Sequence, residues 1–218
     1  MKIDMHNHTD ASPDALTTKR ELIKRAKAKG IDAIAITDHN TMRAVKELQK
    51  IGKEQGIYVI PGEEITTKQG DLIGLFLFDE IRPYMDFYET IDEIKSQGAI
   101  AYAPHPFDFM RHGINKKELL KECNIIEVYN AKSPEQADKE ALLFADENNI
   151  IKGAGSDSHS PFEVGRAYVF VDDNIQINTP EKLLMALRKG MPVLEQRTSI
   201  LDKVIKKAYI SLKKFIKK

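Results

Sequence analysis

Short runs of apolar residues alternate with longer segments of helical periodicity along most of the chain. The runs are rich in β-branched and aliphatic residues, which is typical of strands buried on both faces. They predict eight strands, over 2–5, 31–37, 57–61, 72–78, 99–103, 125–129, 150–154 and 167–171. Helix start signals lie between them, at Thr18 with Glu21, at Ser160 with Pro161 and Glu163, and at Thr179 with Pro180.

Repeated strand–helix units within one domain favour a barrel or a doubly wound sheet. Both folds place their chemistry just beyond the carboxyl ends of the strands. Of the six histidines, five lie at such ends, together with several acids. The polar residues at predicted strand ends are His6 and His8, Asp38 and His39, Glu63 and Glu64, His105, and Asp157 and His159.

The spacing of these residues indicates metal ligands. Side chains two apart on an extended chain point the same way, so His6 and His8 can bind one ion, as can Asp157 and His159. Imidazoles with carboxylates suit Zn, Mn or Fe. A lone histidine is more often an ordinary core or surface residue, but five at successive strand ends favour a metal centre.

The composition adds little about partners but bears on location. The 218 residues suit one domain, and 33 basic residues balance 33 acidic ones, so net charge gives no reason to expect nucleic-acid or membrane binding. A single cysteine, Cys123, excludes an internal disulfide. Together with the absence of a signal-like or membrane-length apolar run, this predicts a cytoplasmic protein without a transmembrane segment.

The last twenty residues are the exception to this balance, because they are strongly basic. Apolar residues recur there at three- and four-residue spacing, which predicts an amphipathic helix. We therefore expect a main domain over 1–197 and a basic helix over 198–218. The helix either packs its apolar stripe on the main domain or attracts an anionic partner such as nucleic acid or a membrane surface.

Five segments together resemble the ordered motifs of the PHP (polymerase and histidinol phosphatase) superfamily. They read IDMHNHTDASPDA, AIAITDHNT, IPGEEIT, AYAPHPFD and GAGSDSHS, and the resemblance extends from residue 2 to about 171. It implies an α/β fold, the distorted (β/α)7 TIM-like barrel of this family. It also implies two or three divalent metal ions (Zn, Mn or Fe) and metal-dependent phosphoesterase activity.

The resemblance also implies a ligand set, matched motif by motif. His6, His8, Glu64 and Asp157 would hold a first ion, Glu64 and His105 a second, and His39 and His159 a third. In GEEI the family pattern selects Glu64, not Glu63, as the bridging carboxylate. The acid expected in the loop after His8 is Asp14, with Asp10 as the competitor. Asp71 stands where many relatives have a histidine, and it is either a ligand or a solvated residue at a strand start.

The expected chemistry is attack on phosphorus by a metal-activated hydroxide, with Glu64, His105 and Asp157 at its centre. Arg111 and Arg166 are candidates to bind phosphate, although each could equally be a surface arginine. His112 and Asn130 are weaker candidates for contact with substrate. Asp4 and Asp38 are expected to support the ligands, with Asp4 hydrogen-bonded to an imidazole.

The substrate expected first is a small phosphomonoester or nucleotide, and an oligonucleotide end comes second. Two other functions stay open at this point. One is an amidohydrolase-like metal hydrolase acting on a non-phosphate substrate, which also begins with His-x-His at a strand end. The other is a catalytically silent PHP domain that only binds.

Overall fold

Ten strands and six helices form a mixed α/β fold in the computed structural model, which describes residues 1–172, 176–199 and 202. The strands are β1 (Lys2–Asp4), β2 (Ala33–Ala35), β3 (Tyr58–Ile60), β4 (Gly62–Thr66), β5 (Asp71–Leu75), β6 (Ile100–Ala103), β7 (Ile125–Asn130), β8 (Ile151–Gly155), β9 (Ala167–Phe170) and β10 (Met191–Leu194). The helices are α1 (Lys19–Ala28), α2 (Val45–Gln55), α3 (Phe87–Ser96), α4 (Lys117–Leu120), α5 (Glu135–Glu147) and α6 (Pro180–Arg188).

The strands divide into two five-stranded sheets, with the orders β10-β9-β1-β2-β3 and β4-β5-β6-β7-β8. In the first sheet β1, β2 and β3 run parallel, while β9 is antiparallel to both β1 and β10. In the second, β6, β7 and β8 run parallel, while β5 is antiparallel to β4 and β6. The predicted α/β class is confirmed. A TIM-like barrel needs one closed ring of strands, whereas the described residues form two sheets.

Backbone hydrogen bonds connect the two sheets at two seams. At the first, Met5 donates to Ala154 at 3.2 Å and Asp157 donates to His6 at 2.8 Å, which joins β1 to β8. At the second, Glu64 donates to Asp38 at 3.2 Å, which joins the segment after β2 to β4. Candidate ligands lie at both seams, so residues from both sheets meet at one end of the molecule.

Local sequence signals account for most element boundaries. Thr18 and Glu21 form the predicted capping box of α1, and Thr179 caps α6 by accepting from the backbone of Lys182. Gly56 ends α2 with a left-handed backbone at φ 75°. Each of the eight predicted strands overlaps an observed one.

Three features differ from the sequence prediction. The strands β4 and β10 were not predicted, because GEEIT is half polar and MPVL follows a helix end with a proline inside it. The helix start at Ser160 was wrong, since residues 161–165 form a turn. Glu163, instead of capping Ser160, accepts the backbone N–H of His159 at 2.8 Å.

The apolar core lies between the sheets and their covering helices. Leu22 of α1 and Leu48 of α2 pack with Ile34 of β2, while Phe87 and Ile91 of α3 belong to the cluster over the second sheet. This burial fixes the strand ends, and therefore the polar residues that follow them, in place.

The predicted C-terminal helix over 198–218 lies outside the described residues, apart from Thr198, Ser199 and Asp202. At its start, Arg197 donates to the carbonyl of Ser133 at 2.6 Å and the N–H of Thr198 donates to Ala131 at 2.7 Å. None of the helices in the described part of the chain is both long and apolar enough to span a bilayer.

Candidate metal centre

Five of the nine polar residues predicted at the strand ends line one pocket of about 400 Å³. Its lining comprises Asp14, His39, Glu64, Asp71, His105, Met110, Arg111, His112, Lys132, Asp157 and His159. His6 and His8 are fully buried and reach the same group of side chains through Glu64 and Asp157. Five predicted histidine ligands thus lie beside Glu64 or Asp157, Asp14 lies beside two of these histidines, and Asp71 lines the same pocket.

Glu64 is at the centre of this group. Its Oε2 lies 3.4 Å from Nε2 of His6, 3.3 Å from Nε2 of His8 and 3.1 Å from Nδ1 of His39. Its Oε1 lies 3.0 Å from Nε2 of His105. Oε2 is buried and has no well-aligned hydrogen-bond donor among the described residues. Four imidazoles converging on one carboxylate, one of whose oxygens lacks a donor, fit a carboxylate that bridges cations.

In each of three sets of residues, the possible ligand atoms lie within 4.8 Å of one another. They are His6, His8 and Asp157; His6, Glu64 and His105; and His8, His39 and His159. The Nε2 atoms of His6 and His8 are only 3.0 Å apart. Both nitrogens can face the same point in space, and imidazoles together with carboxylates are a donor set that fits transition-metal ions.

The loop after His8 brings Asp14 to the site. Its carboxylate oxygens lie 2.9 Å from Nε2 of His159 and 3.7 Å from Nε2 of His39. Asp10, the competing candidate, instead approaches the ammonium of Lys19 at 3.9 Å. Of the two loop acids, Asp14 is therefore the one in position to ligate with His39 and His159.

Asp71 begins β5, is nearly buried and lines the pocket with Glu64 and His105. Burial, together with the charge of Glu64, raises the pKa of Asp71 above its ordinary value. Its Oδ1 lies 3.1 Å from Nδ1 of His112, whose side chain is half exposed. The position suits a ligand of an ion that Glu64 and His105 would hold, because a cation there would offset the cost of ionising Asp71.

The electrostatics of the site favour cations. Burial opposes the charge on Glu64, yet the imidazoles of His6 and His105 hold its pKa well below the ordinary value. Burial likewise opposes the charge on Asp157, and Lys132, His6 and Arg111 hold its pKa well below normal. Both carboxylates are thus ionised at neutral pH in a buried place, which is the arrangement that recruits divalent ions.

Comparison with known proteins identifies the family behind this geometry. A family model described as the PHP domain matches residues 4–159, and one described as PHP-associated matches residues 135–192. The chain belongs to the PHP domain family. The first match spans all the candidate ligands, from His6 to His159.

Two relatives of this PHP domain match most of its length. The uncharacterized protein MJ0417 of Methanocaldococcus jannaschii is 36% identical over 191 residues, which are 84% of this chain and 75% of the relative. A probable phosphatase of Acetivibrio thermocellus is 28% identical over 75% of this chain and 82% of its own length.

A solved structure shares the fold. It is a two-domain protein of Bacteroides vulgatus whose description names a predicted PHP-like metal-dependent phosphoesterase, and its TM-score is 0.73 at 22% identity. The match covers 89% of this chain and 64% of that protein.

Glu127, in the middle of β7, contacts candidate ligands of this PHP domain and was not found from the sequence. It is fully buried and lies 3.2 Å from Nδ1 of His6. It also accepts from the hydroxyl of Tyr102 and the backbone N–H of His105, both at 2.8 Å. A carboxylate on the far nitrogen of a ligating histidine fixes its tautomer and ring orientation. The only available signal was an acid inside an apolar strand, IIEVY.

Two other predicted supports behave differently from each other. Asp38 accepts from the hydroxyl of Ser12 at 2.7 Å, and Ser12 in turn lies 3.2 Å from Nδ1 of His8, so Asp38 acts on the ligand through a serine. Asp4 was expected to bind an imidazole, and this was wrong. Its carboxylate instead accepts from Ser156 and from Gly165, since β1 ends at Asp4 and the strand alternation with His6 is lost.

The two arginines that were candidates to bind phosphate lie in different surroundings. The guanidinium of Arg111 lines the pocket, contacts Asp157 and is held by Asp108 at 3.0 Å and Ser133 at 2.9 Å. The guanidinium of Arg166 is buried against Asp202 at 2.5 Å and Thr198 at 3.3 Å, and it is not part of the described pocket lining. Arg166 therefore connects the main domain to the C-terminal segment. The second cation at the pocket is instead Lys132, which was not predicted from the sequence.

Two ligand candidates have a backbone conformation that L-residues seldom adopt. His105 has φ 32° and Asp157 has φ 50°. Such strain persists where the surroundings over-determine it, and it concentrates at functional sites. Here Asp157 donates its N–H to His6, and His105 donates its own to Glu127. The hydrogen bonds that impose the strain are thus made with a ligand candidate and its support.

Proposed function

We propose that this PHP domain is a metal-dependent phosphoesterase that hydrolyses a small phosphomonoester or nucleotide, with water as the nucleophile. The observation that carries the proposal is the buried Glu64 carboxylate, whose oxygens face four imidazoles beside a pocket that also holds a guanidinium and an ammonium group. Ligands for cations and donors for an anion are thus combined in one cavity.

When bound, two or three divalent ions such as Zn, Mn or Fe would supply Lewis-acid charge and lower the pKa of water. The residues that would hold them are His6, His8, Asp14, His39, Glu64, Asp71, His105, Asp157 and His159. Glu64 sets their spacing, Glu127 orients His6, and Arg111 offers its planar fork to phosphoryl oxygens. The pocket volume is within the range typical of small-molecule sites.

A protein nucleophile is not needed, and the two serines that flank Asp157 are engaged elsewhere. The hydroxyl of Ser156 donates to Asp4 at 2.5 Å, and that of Ser158 donates to Asn7 at 2.7 Å. Both serines are buried and neither lines the described pocket. Hydrolysis in 18O-labelled water should therefore place one labelled oxygen in the released phosphate without a phosphoenzyme. A trapped phosphoserine or phosphohistidine would contradict this.

The proposal is tested by a panel of phosphomonoesters, phosphodiesters, amides and lactones, assayed with protein reconstituted with Mn or with Zn. Turnover of a phosphate ester that disappears in Glu64→Gln is the expected result. Turnover of amides or lactones instead would favour the amidohydrolase-like alternative. Metal binding without turnover of any of these classes would favour a silent binding domain.

Three finer expectations stay part of this proposal. The two sheets would be the halves of the distorted barrel that the family resemblance implies, and their backbone seams support this. The protein would act in the cytoplasm, consistent with its single buried cysteine, Cys123. An oligonucleotide end is the second substrate class, and it is tested within the same panel.

A further inference from the structure

Lys132 is a cationic residue of the pocket for which neither the sequence motifs nor the ligand set provides a role. It follows β7 in the loop after Asn130, and its side chain is 17% exposed. Its Nζ lies 3.3 Å from Oδ1 of Asp157 and 2.5 Å from Nδ1 of His159. A lysine is thus held among candidate metal ligands, where it is both desolvated and within reach of anything bound in the pocket.

Lys132 and Arg111 bind the same carboxylate from its two sides. Arg111 contacts Oδ2 of Asp157, and Lys132 contacts Oδ1. Arg111 also binds Asp108, so the two cations face two carboxylates. If Asp157 also served a metal ion, its charge would be shared further, and the ammonium of Lys132 would have capacity left for another anion.

The contact between Lys132 and His159 depends on the state of that histidine. An ammonium can only donate, so Nδ1 of His159 must be the accepting nitrogen in this contact. If Nε2 of His159 binds a metal, Nδ1 carries the proton and can donate to the backbone carbonyl of Asp157, which lies 3.0 Å away. It can then no longer accept from Lys132. With an ion on His159, the ammonium of Lys132 would therefore be available to another acceptor.

The backbone around Lys132 is fixed. Its N–H donates to the side chain of Asn130 at 2.8 Å. The carbonyls on either side accept from the C-terminal segment: Ala131 from the N–H of Thr198 at 2.7 Å, and Ser133 from Arg197 at 2.6 Å. The freed ammonium thus stays at the pocket, because only the flexible side chain can move.

We propose that Lys132 is a phosphate-binding residue that acts opposite Arg111, and that this pair makes the site selective for phosphomonoesters over phosphodiesters. The inference rests on the proposed function and names its substrate class. A monoester dianion presents three non-bridging oxygens and a second negative charge, whereas a diester presents two oxygens and one charge. Two separate cations beside the metal ligands therefore stabilise a bound monoester dianion more than a bound diester.

The test compares four full-length proteins reconstituted with the same metal: wild type, Lys132→Met, Lys132→Arg and Lys116→Met. Methionine keeps the length of the side chain without its charge. Lys116 is an exposed lysine at the start of α4 whose side chain makes no capping bond, so it is the matched control. Binding of inorganic phosphate is measured by titration calorimetry, and metal content by elemental analysis.

We expect Lys132→Met to bind phosphate about 10- to 100-fold more weakly, the usual worth of a charged hydrogen bond in such a site. Lys132→Arg should recover most of this loss and Lys116→Met should show none. The ratio of kcat/KM for a phosphomonoester to that for a phosphodiester should fall in Lys132→Met, with metal content unchanged.

Phosphate affinity within threefold of wild type in Lys132→Met would overturn the proposal. So would a parallel loss of metal, because Lys132 would then support the ligands instead of the substrate. If wild type binds phosphate through Lys132 but hydrolyses no phosphate ester, the anion site stands and the proposed function fails. If wild type and Lys132→Met hydrolyse a phosphate ester equally fast, the proposed function stands and the role of Lys132 fails.

Discussion

Two adjacent glutamates on β4 show how much the role of a single residue depends on the face it occupies. Glu64 points to the imidazoles, while Glu63 points away and accepts the N–H of Ile81 at 2.9 Å. Both are buried, with 1% and 0% of their surface exposed, so exposure does not distinguish them. Successive strand residues alternate between faces, which explains the difference.

Exchanging each glutamate for glutamine should therefore have unequal effects on activity. Glu64→Gln removes the charge that the cations share, and we expect a loss of more than about 100-fold, since even outer-shell changes cost about 10- to 100-fold. Glu63→Gln keeps the shape at a position away from the ligands and should retain activity. Phosphoesterase kinetics under saturating metal would measure both, and equal losses would mean that the register of β4 is misassigned.

Glu63 also predicts a pH dependence of stability. Burial, with a smaller contribution from Glu80, raises its pKa from 4.5 to about 7. As pH rises from about 4.5 to 7, the unfolded chain releases this proton before the folded one does, so the wild type loses stability over that window. The loss is complete above pH 7 and amounts to roughly 3 kcal/mol at most.

Glutamine at this position cannot ionise and escapes the loss. The free energy of unfolding of Glu63→Gln minus that of wild type should increase between pH 4.5 and 7, then level off. Urea unfolding at several pH values measures it, and contributions from other groups cancel in the difference. Parallel pH profiles for the two proteins would show that the folded state does not raise the pKa of Glu63.

At the scale of elements, the site depends on the close approach of β8 to the segment that follows β1. Gly155 ends β8, and a Cβ added there would collide with Cβ of His6 and lie 2.8 Å from its backbone nitrogen. It would also lie 2.7 Å from Oε1 of Glu127. A backbone atom cannot yield as a side-chain end can, so this glycine is needed for packing, not for its dihedral freedom.

Gly155→Ala should displace His6 and cost about 1–3 kcal/mol of stability, the usual penalty of overpacking. Metal content should fall with it. Gly153→Ala, two residues earlier on β8, is the matched control, because the three atoms nearest to its added Cβ belong to the side chains of Ile125 and Tyr102 and none to a backbone. That variant should lose stability but keep its metal. Elemental analysis with thermal unfolding distinguishes them, and full metal content in Gly155→Ala would contradict the role assigned to this approach.

For the whole molecule, the candidate ligands come from both sheets. His6 and His8 follow β1 of the first sheet, whereas Glu64 belongs to β4 and Asp157 follows β8 of the second. Ions held by these residues would therefore connect the sheets in addition to the backbone seams. The binding free energy of the ions would become part of the stability of the fold.

Metal reconstitution should accordingly yield two or three ions per chain and raise the melting temperature. One ion present at 100 times its Kd contributes about 2.7 kcal/mol, which corresponds to roughly 5–10 °C for a domain of this size. Calorimetry before and after chelation, with elemental analysis, gives both quantities, and the shift should shrink in Glu64→Gln. Less than one ion per chain after reconstitution would refute the metal centre.

The local pattern of the sequence was sufficient for the α/β class, eight strands, the capped helices and the candidate ligands at the strand ends. These features depend on short-range physics: strand alternation, capping by Thr18 and Thr179, and the placement of side chains two apart such as His6 and His8. Strand alternation makes Glu63 and Glu64 face opposite ways, but the family pattern, not this alternation, selected Glu64 as the ligand.

Only the tertiary structure decided the features that depend on approach between distant segments. It selected Asp14 over Asp10, turned Arg166 toward Asp202, and placed Glu127 against His6 across 121 residues. It also showed that the residues after Ser160 form a turn instead of a helix, with Glu163 accepting the backbone N–H of His159. Spacing fixes the face on which a side chain lies, but its partner depends on how the two sheets pack and on which buried groups need a hydrogen bond.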